Sequence, residues 1–354
     1  MAQFPSDEEI FEEAPGSVFG VWKKGRVFHE GTTGIRNIFS KRPMRKEARF
    51  RIGSLTKTFT ATVVLKLVSK GLIDPKKSAY SYFSRRPSEK ILSWLDLLPK
   101  TITVEQLGTM TSGLYNFTQD LDFNRAVDAD PEREWTPEEI LLNYSLNKEP
   151  YFEPREGWYY CNTNYLLLGL LAEHVSGHSL EVLYDHFIFK RLGMKNTFVP
   201  HGSEIDGFHA DGYMYGYEDP NREPKTVLRQ VTRFNPSWAF GSGNLVSNLD
   251  DLRVYINALG KGLLIGEKGF CFLQQSYVDI EIGQYGFGLF RYSTVNGGPW
   301  WVGHTGQIHG YQSSLFYNSC YSVSVAVLTN IYSRLSGIEP ALDVTKKIFA
   351  YFDK

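Results

Sequence analysis

Apolar and polar positions change period along this chain, and the changes mark out its elements. Ser6, followed three residues later by Glu9, is a capping-box pattern that predicts a short helix over Ser6–Glu13. Ser17–Trp22 and Arg26–Gly31 flank Lys23-Lys24-Gly25, which predicts a β-hairpin. Phe50–Gly53 reads as a short extended entry into a helix over Leu55–Ser69. Apolar residues on most sides of that helix (Leu55, Phe59, Val63, Leu65, Leu67) predict burial all round. Gly71 stops it, and Asp74-Pro75 begins a turn.

Beyond this point the texture changes. Helical stretches at Val104–Met110, Pro137–Asn147, Tyr165–Ser176 and Leu180–Lys190 alternate with loops rich in Pro, Asp, Gly and Tyr, up to about residue 235. A capped helix follows at Asp250–Leu259. Four strands are then predicted, at Tyr285–Ser293, Trp300–His304, Tyr311–Tyr317 and Tyr321–Thr329. In the last, Val323, Val325 and Val327 alternate with Ser322, Ser324 and Ala326. A final helix is expected from about Ile338 to Phe352. The order predicts an α/β lobe built from both ends of the chain, residues 1–73 and 236–354. A mostly helical lobe, residues 74–235, is inserted between them, and any active site is expected at their interface.

Composition narrows the class. With 354 residues, 42% hydrophobic and 22% charged, the chain can bury a substantial core. A net charge of −1 gives no reason to expect nucleic acid or an anionic membrane as partner. Aromatic residues reach 15%, enough for a thick core and for an aromatic-walled cleft. Three cysteines without a Cys-x-x-Cys pair predict neither a disulfide framework nor a structural zinc site, and no cofactor is expected. The acidic start lacks the pattern of a signal peptide, and no apolar run reaches membrane-spanning length. A soluble protein, cytoplasmic by default, is expected. Oligomeric state has no signature here.

Three short motifs carry candidate chemistry. In Ser54-Leu55-Thr56-Lys57, residues three apart share a helix face, so Lys57 can reach the Ser54 hydroxyl. A serine needs such a base, and burial at the start of an apolar helix lets the amine shed its charge. The pattern recurs at Ser145-Leu146-Asn147-Lys148, at a helix end with no apolar helix after it, where a structural role is expected. In Tyr160-Cys161-Asn162, Tyr160 would pass a proton to the leaving group while Asn162 orients substrate and Lys57. Tyr255-Ile256-Asn257 repeats that spacing on an ordinary helix. His304-Thr305-Gly306 occurs once, in a predicted strand. His304 and Gly306 would face one side and Thr305 the other, with Gly306 admitting a substrate backbone. The N–H of Gln307 would join that of Ser54 in holding an oxyanion. His309 reads as structural.

Taken in this order, the motifs resemble the serine β-lactamase-like and penicillin-binding hydrolases. The nearest branch holds class C β-lactamases, D-alanyl-D-alanine carboxypeptidases, D-aminopeptidases, D-amino acid amidases and related esterases. Phe50–Ala61 is similar to the family's nucleophile segment, Leu107–Leu114 to its Thr-Ser-Gly-Leu landmark, Phe152–Gly169 to its Tyr-x-Asn segment, and Gly303–Ser313 to its third motif; Arg191–Thr197 and Phe240–Ala258 match further landmarks. The resemblance implies an antiparallel sheet flanked by helices. It implies Ser54 as nucleophile, Lys57 as its base, Tyr160 as proton shuttle and Asn162 as orienting amide. His304 stands where β-lactamases usually have lysine, which is closer to the peptidase and esterase members. Arg155 stands where the family often has glycine, and Gly108 and Met110 interrupt a usual Leu-Leu-Thr-His run. Carboxypeptidase members place an arginine just after the Gly-x-Gly-Leu strand to hold a terminal carboxylate. Here Phe290 follows Leu289 and Arg291 comes one residue late, on the opposite strand face. The implied activity is acyl transfer to water from a D-configured peptide, an amide or a small ester. The alternatives are a class C-like β-lactamase and a penicillin-binding sensor that is acylated without turnover.

Overall fold

In the computed structural model, residues 14–215, 228–295, 297–332 and 339–353 are described. The helix expected over Ser6–Glu13 and the first residue of the expected final helix lie outside them. Strands β1 (Gly16–Lys23), β2 (Arg26–Asn37), β3 (Arg42–Pro43) and β4 (Phe50–Arg51) precede the first long helix, α1 (Thr56–Ser69). A second long helix, α2 (Asn162–Ser176), lies in a segment otherwise made of short helices and loops. Strands β5 (Tyr213–Tyr215), β6 (Leu228–Gln230) and β7 (Val246–Ser247) lead to helices α3 (Leu249–Gly260) and α4 (Gly266–Gln275). Strands β8 (Val278–Ile280), β9 (Gly283–Tyr285), β10 (Phe290–Tyr292), β11 (Trp301–Ile308), β12 (Tyr311–Asn318), β13 (Val323–Thr329) and β14 (Ile331–Tyr332) follow, and α5 (Pro340–Phe352) closes the described chain.

The main sheet has nine antiparallel strands in the order β3-β2-β1-β13-β12-β11-β10-β9-β8. Its centre joins the two chain ends: β1 pairs with β13 from Ser17↔Thr329 to Lys23↔Val323. All seven residues of β13 are buried, so both its faces are covered. On one face, α5 sets Phe349 against Phe316, with ring centroids 5.3 Å apart, and Thr345 against Ser314. Helix α3 packs on β12 and β13 as well. Burying this mixed α/β core, from Val18 through Phe349, is the main favourable term for the fold.

Several expected elements are corrected. Tyr285–Ser293 is not one strand but the hairpin β9–β10. Gly288 adopts φ +78°, which glycine tolerates and a side chain would strain. A Cβ there would also come within 2.7 Å of Ala61 Cβ and 3.0 Å of the Lys57 carbonyl, because this turn lies directly on α1. Strand β11 runs four residues past His304, to Ile308, before a tight turn at His309-Gly310. Helix α2 begins at Asn162, three residues earlier than expected, with the extended Cys161 at its N-cap position making no side-chain cap. Helix α4 carried no clear sequence signal. The segment expected to be helical and looped also contributes β5, which pairs in parallel with β14.

Helix α1 is buried along almost its whole length, as its apolar surface predicted. Its entry is fixed before the helix starts. Strand β4 pairs with β7, and the buried Arg51 guanidinium donates to the carbonyls of Ser203 (2.7 Å) and Thr232 (3.2 Å). A 3-10 turn at Gly53–Leu55 then delivers Ser54.

Candidate active site

The 3-10 turn leaves Ser54 partly exposed while Gly53, Leu55 and Thr56 are buried. Ser54 therefore opens onto a cleft of about 800 Å³. Lys57, one turn on, is fully enclosed. Its Nζ lies 2.9 Å from Ser54 Oγ, 2.7 Å from Asn162 Oδ1 and 2.8 Å from the Ser242 carbonyl. Three acceptors match the three hydrogens of an ammonium, so the group is satisfied without water. Burial nevertheless holds its pKa well below the usual lysine value, which eases the loss of a proton. The rings of Tyr160 and Tyr165 stand 4.9 and 5.7 Å from Nζ and complete the enclosure.

Asn162 is held at both ends of its amide. Oδ1 accepts from Lys57, Nδ2 donates to Thr118 Oγ1 at 3.1 Å, and its backbone N–H donates to Asn116 Oδ1 at 3.0 Å. Its position at the first turn of α2 brings it to Lys57 across 105 residues of sequence. Tyr160 lies in the extended segment just before that helix and lines the cleft. Its hydroxyl oxygen is enclosed and makes no hydrogen bond of normal geometry. Burial pushes the phenol's pKa up, and the approach of the Ser54 hydroxyl offsets part of the rise. Such a phenol stays protonated, able to give a proton but not to hold a charge unaided.

His304 is brought near but not into the cleft. It is buried behind Tyr160, with ring centroids 5.9 Å apart, and is bounded by Phe290 at 4.8 Å and Tyr285 at 6.0 Å. Burial, and next the charge of Lys57, lower its pKa to about 3, so it is neutral at physiological pH. Nε2 lies 3.5 Å from Tyr285 Oη, and Nδ1 contacts the Thr305 carbonyl. Thr305 and Gly306 do not line the cleft either. The backbone that approaches Gly306 closely is that of Ile52, whose carbonyl a side chain would overlap, and not a substrate's. Gly306 thereby lets β11 press against the entry to α1. Gln307 does line the cleft. Its N–H lies against Gly53, where a Cβ would sit 2.7 Å from Gln307 N.

The repeated motifs are held elsewhere. Ser145 Oγ donates to the Tyr115 carbonyl at 3.0 Å, and Lys148 pairs with Asp120 at 2.7 Å. Tyr255 stacks on Phe59 at 3.8 Å and donates to Thr58 Oγ1 at 3.0 Å. Sequence reasoning missed the Ser242 carbonyl, the Asn116–Thr118 brace behind Asn162, and an aromatic wall of Phe123, Trp158 and Trp238. Only the aromatic richness hinted at that wall. It missed Glu339 at the cleft edge as well.

The antiparallel sheet with helices on both faces, and the Ser-x-x-Lys pair at the start of a buried helix, define the serine β-lactamase-like class. The chain matches the Beta-lactamase family over residues 8–340 and belongs to it. Among its relatives, Penicillin-binding protein 4* of Bacillus subtilis strain 168 is 27% identical over 319 residues, covering 86% of this chain and 66% of that protein. A D-aminopeptidase of Brucella anthropi is 26% identical over 336 residues, covering 92% of this chain and 58% of that one. The chain thus spans less than two thirds of either relative. The solved structure of a D-stereospecific amidohydrolase from a Streptomyces species superposes with a TM-score of 0.80 at 28% identity, over 96% of this chain and 94% of the other. Among the described residues no helix is long and apolar enough to cross a membrane.

Proposed function

We propose that this chain is a serine hydrolase that acts, through an acyl-Ser54 intermediate, on amides and short peptides of D-configured amino acids. The observation that carries the reading is the enclosed Lys57 amine, 2.9 Å from a serine hydroxyl that alone in its turn faces the cleft. The names of the relatives support the substrate class: a D-aminopeptidase and a D-stereospecific amidohydrolase.

In the mechanism, the neutral Lys57 amine takes the Ser54 proton as Oγ attacks the substrate carbonyl. The carbonyl oxygen becomes an oxyanion held by the N–H groups of Ser54 and Gln307. Tyr160, protonated and beside Ser54, passes a proton to the leaving nitrogen as the C–N bond breaks, and regains one from Lys57. Water then attacks the ester by the reverse relay, releasing the acid and restoring Ser54. Asn162 acts as a positioning residue for Lys57. His304 stays neutral behind Tyr160 and holds its ring. We place this cleft between two lobes, residues 1–73 with 236–354 and residues 74–235.

A penicillin-binding activity is the second reading, favoured by the name of one relative. A fluorophosphonate should add its mass to the peptide containing Ser54, and Ser54→Ala should remove both label and turnover. Ser145→Ala should remain active. Turnover that survives Ser54→Ala overturns the mechanism. A panel of D-amino acid amides, D-alanyl-D-alanine peptides, p-nitrophenyl esters and nitrocefin separates the substrate classes. Nitrocefin turnover with none on D-amides would favour a β-lactamase, and a stable penicillin adduct without turnover a sensor.

A further inference from the structure

The cleft wall is almost uncharged. Among the described residues that line it there is one carboxylate, Glu339, and no lysine or arginine. Glu339 immediately precedes α5, where its side chain could bond the exposed N–H groups of its own helix. It makes no such cap. Instead its Oε1 accepts from Gln307 Nε2 at 2.6 Å. Gln307 is also the residue whose backbone lies against Gly53 beside Ser54. Gln307 engages one carboxylate oxygen, and the second carries the remaining acceptor capacity. Glu339 is half-buried rather than fully solvated, and its negative charge helps to push the Tyr292 phenol up. Tyr292 stacks on Phe290 at 5.3 Å, and Phe290 on Tyr160 at 6.4 Å. The carboxylate's charge therefore acts on Tyr292, at the edge of that aromatic layer.

Arg291, the arginine closest in sequence to an anion-holding position, is turned away. Arg291 lies over the ring of Tyr277 at 3.4 Å and donates to Gln274 Oε1 at 2.7 Å. The α-carbon of a substrate is one bond from its carbonyl, so a carbonyl that meets Ser54 and the Gln307 N–H carries its α-substituents in the same cleft that Glu339 lines. An α-ammonium there meets a carboxylate; an α-carboxylate would meet the same charge and be repelled. We propose that Glu339 binds the free α-ammonium of the substrate's N-terminal residue, with Gln307 as its positioning residue, and so selects amines over N-blocked or carboxylate-terminated substrates. This rests on the Ser54 hydrolase reading and adds its substrate polarity.

The test compares D-phenylalaninamide with N-acetyl-D-phenylalaninamide on the full chain, in the parent and in Glu339→Gln and Glu339→Asp. The expected result is a fall of about tenfold in the free-amine to N-acetyl ratio of kcat/KM in Glu339→Gln, carried mainly by KM, with partial recovery in Glu339→Asp. The same pair of compounds is titrated calorimetrically into Ser54→Ala protein with and without Glu339→Gln. This arm needs no turnover, so it reads the ammonium site even if the hydrolase reading fails. Tighter binding of the amine that disappears with Glu339→Gln supports the site. Equal affinity for the two compounds, or a preference for the amine that survives Glu339→Gln, overturns it.

Discussion

Replacing His304 by glutamine removes a buried imidazole whose cost depends on pH, and the structure sets the size and sign of that dependence. His304 is 1% exposed, and burial first, then the Lys57 charge, lower its pKa from 6.5 to about 3. In the folded protein it stays neutral down to that value, while in the unfolded chain it binds a proton below 6.5. The unfolded state therefore holds more protons between pH 6.5 and 3, and stability must fall as pH falls through that window. At pH 4.5 the window has been crossed by about 2 units, worth about 2.7 kcal/mol at 1.36 kcal/mol per unit. Glutamine keeps a polar side chain there but does not titrate. Urea unfolding of parent and His304→Gln from pH 7.5 to 4.5 checks this. Taking the difference between the two proteins cancels the slope that distant groups contribute to both. Relative to the variant, the parent should lose on the order of 2–3 kcal/mol across the range. Parallel curves would refute the reasoning, because they require His304 to be protonated in the fold or exposed to water.

Two further substitutions probe backbone positions. Gly53→Ala sets a Cβ 2.7 Å from Gln307 N at φ +50°, so the two N–H groups assigned to the oxyanion must move apart. Its kcat should drop on the order of 10²-fold with KM less affected, and an unchanged kcat in steady-state assays would count against Gln307 as a donor. Arg155 adopts φ +79° at an exposed site where the family often has glycine, and it donates its N–H to the Thr111 carbonyl at 2.9 Å. Arg155→Gly should raise stability by about 0.5–1 kcal/mol, since relief of left-handed strain outweighs the added freedom of the unfolded chain. A denaturant midpoint that falls would contradict that balance.

The Ser54–Lys57 pair was legible because helix geometry alone brings residues three apart onto one face. Lys57's other two acceptors were not equally legible. Asn162 lies 105 residues away but keeps a side-chain signature in Tyr-x-Asn. Ser242 contributes only a backbone carbonyl from 185 residues away, and any residue there could supply one. The β9–β10 hairpin was read as one strand because Tyr285 to Ser293 is apolar enough for either. What decides it is Gly286-Phe287-Gly288, where the Phe287 ring covers Gly108 and the turn rests on α1. Helix α4 was missed for a related reason. Glycine lowers helix propensity, yet Gly269 is required where α4 crosses α1, since a Cβ there would sit 2.7 Å from the Leu65 carbonyl. A glycine that permits close packing and one that ends a helix look alike until the partner is known.

That missed helix bears on the site's charge. Gln274, near the end of α4, takes a hydrogen bond from Arg291, so the cation near the sheet edge is engaged away from the cleft. On the neighbouring strand the imidazole of His304 is uncharged, where a lysine would set a second cation beside Lys57 and push its proton off at the cost of folding stability. Among the described residues, what remains near Ser54 is one enclosed amine and, on the cleft wall, one carboxylate. An enzyme that had to hold a penicillin or a C-terminal carboxylate would need the reverse arrangement, with a cation in the wall. Along a strand one residue of register decides which face carries the charge, and here it leaves Phe290 buried against His304 and turns Arg291 to Tyr277 and Gln274.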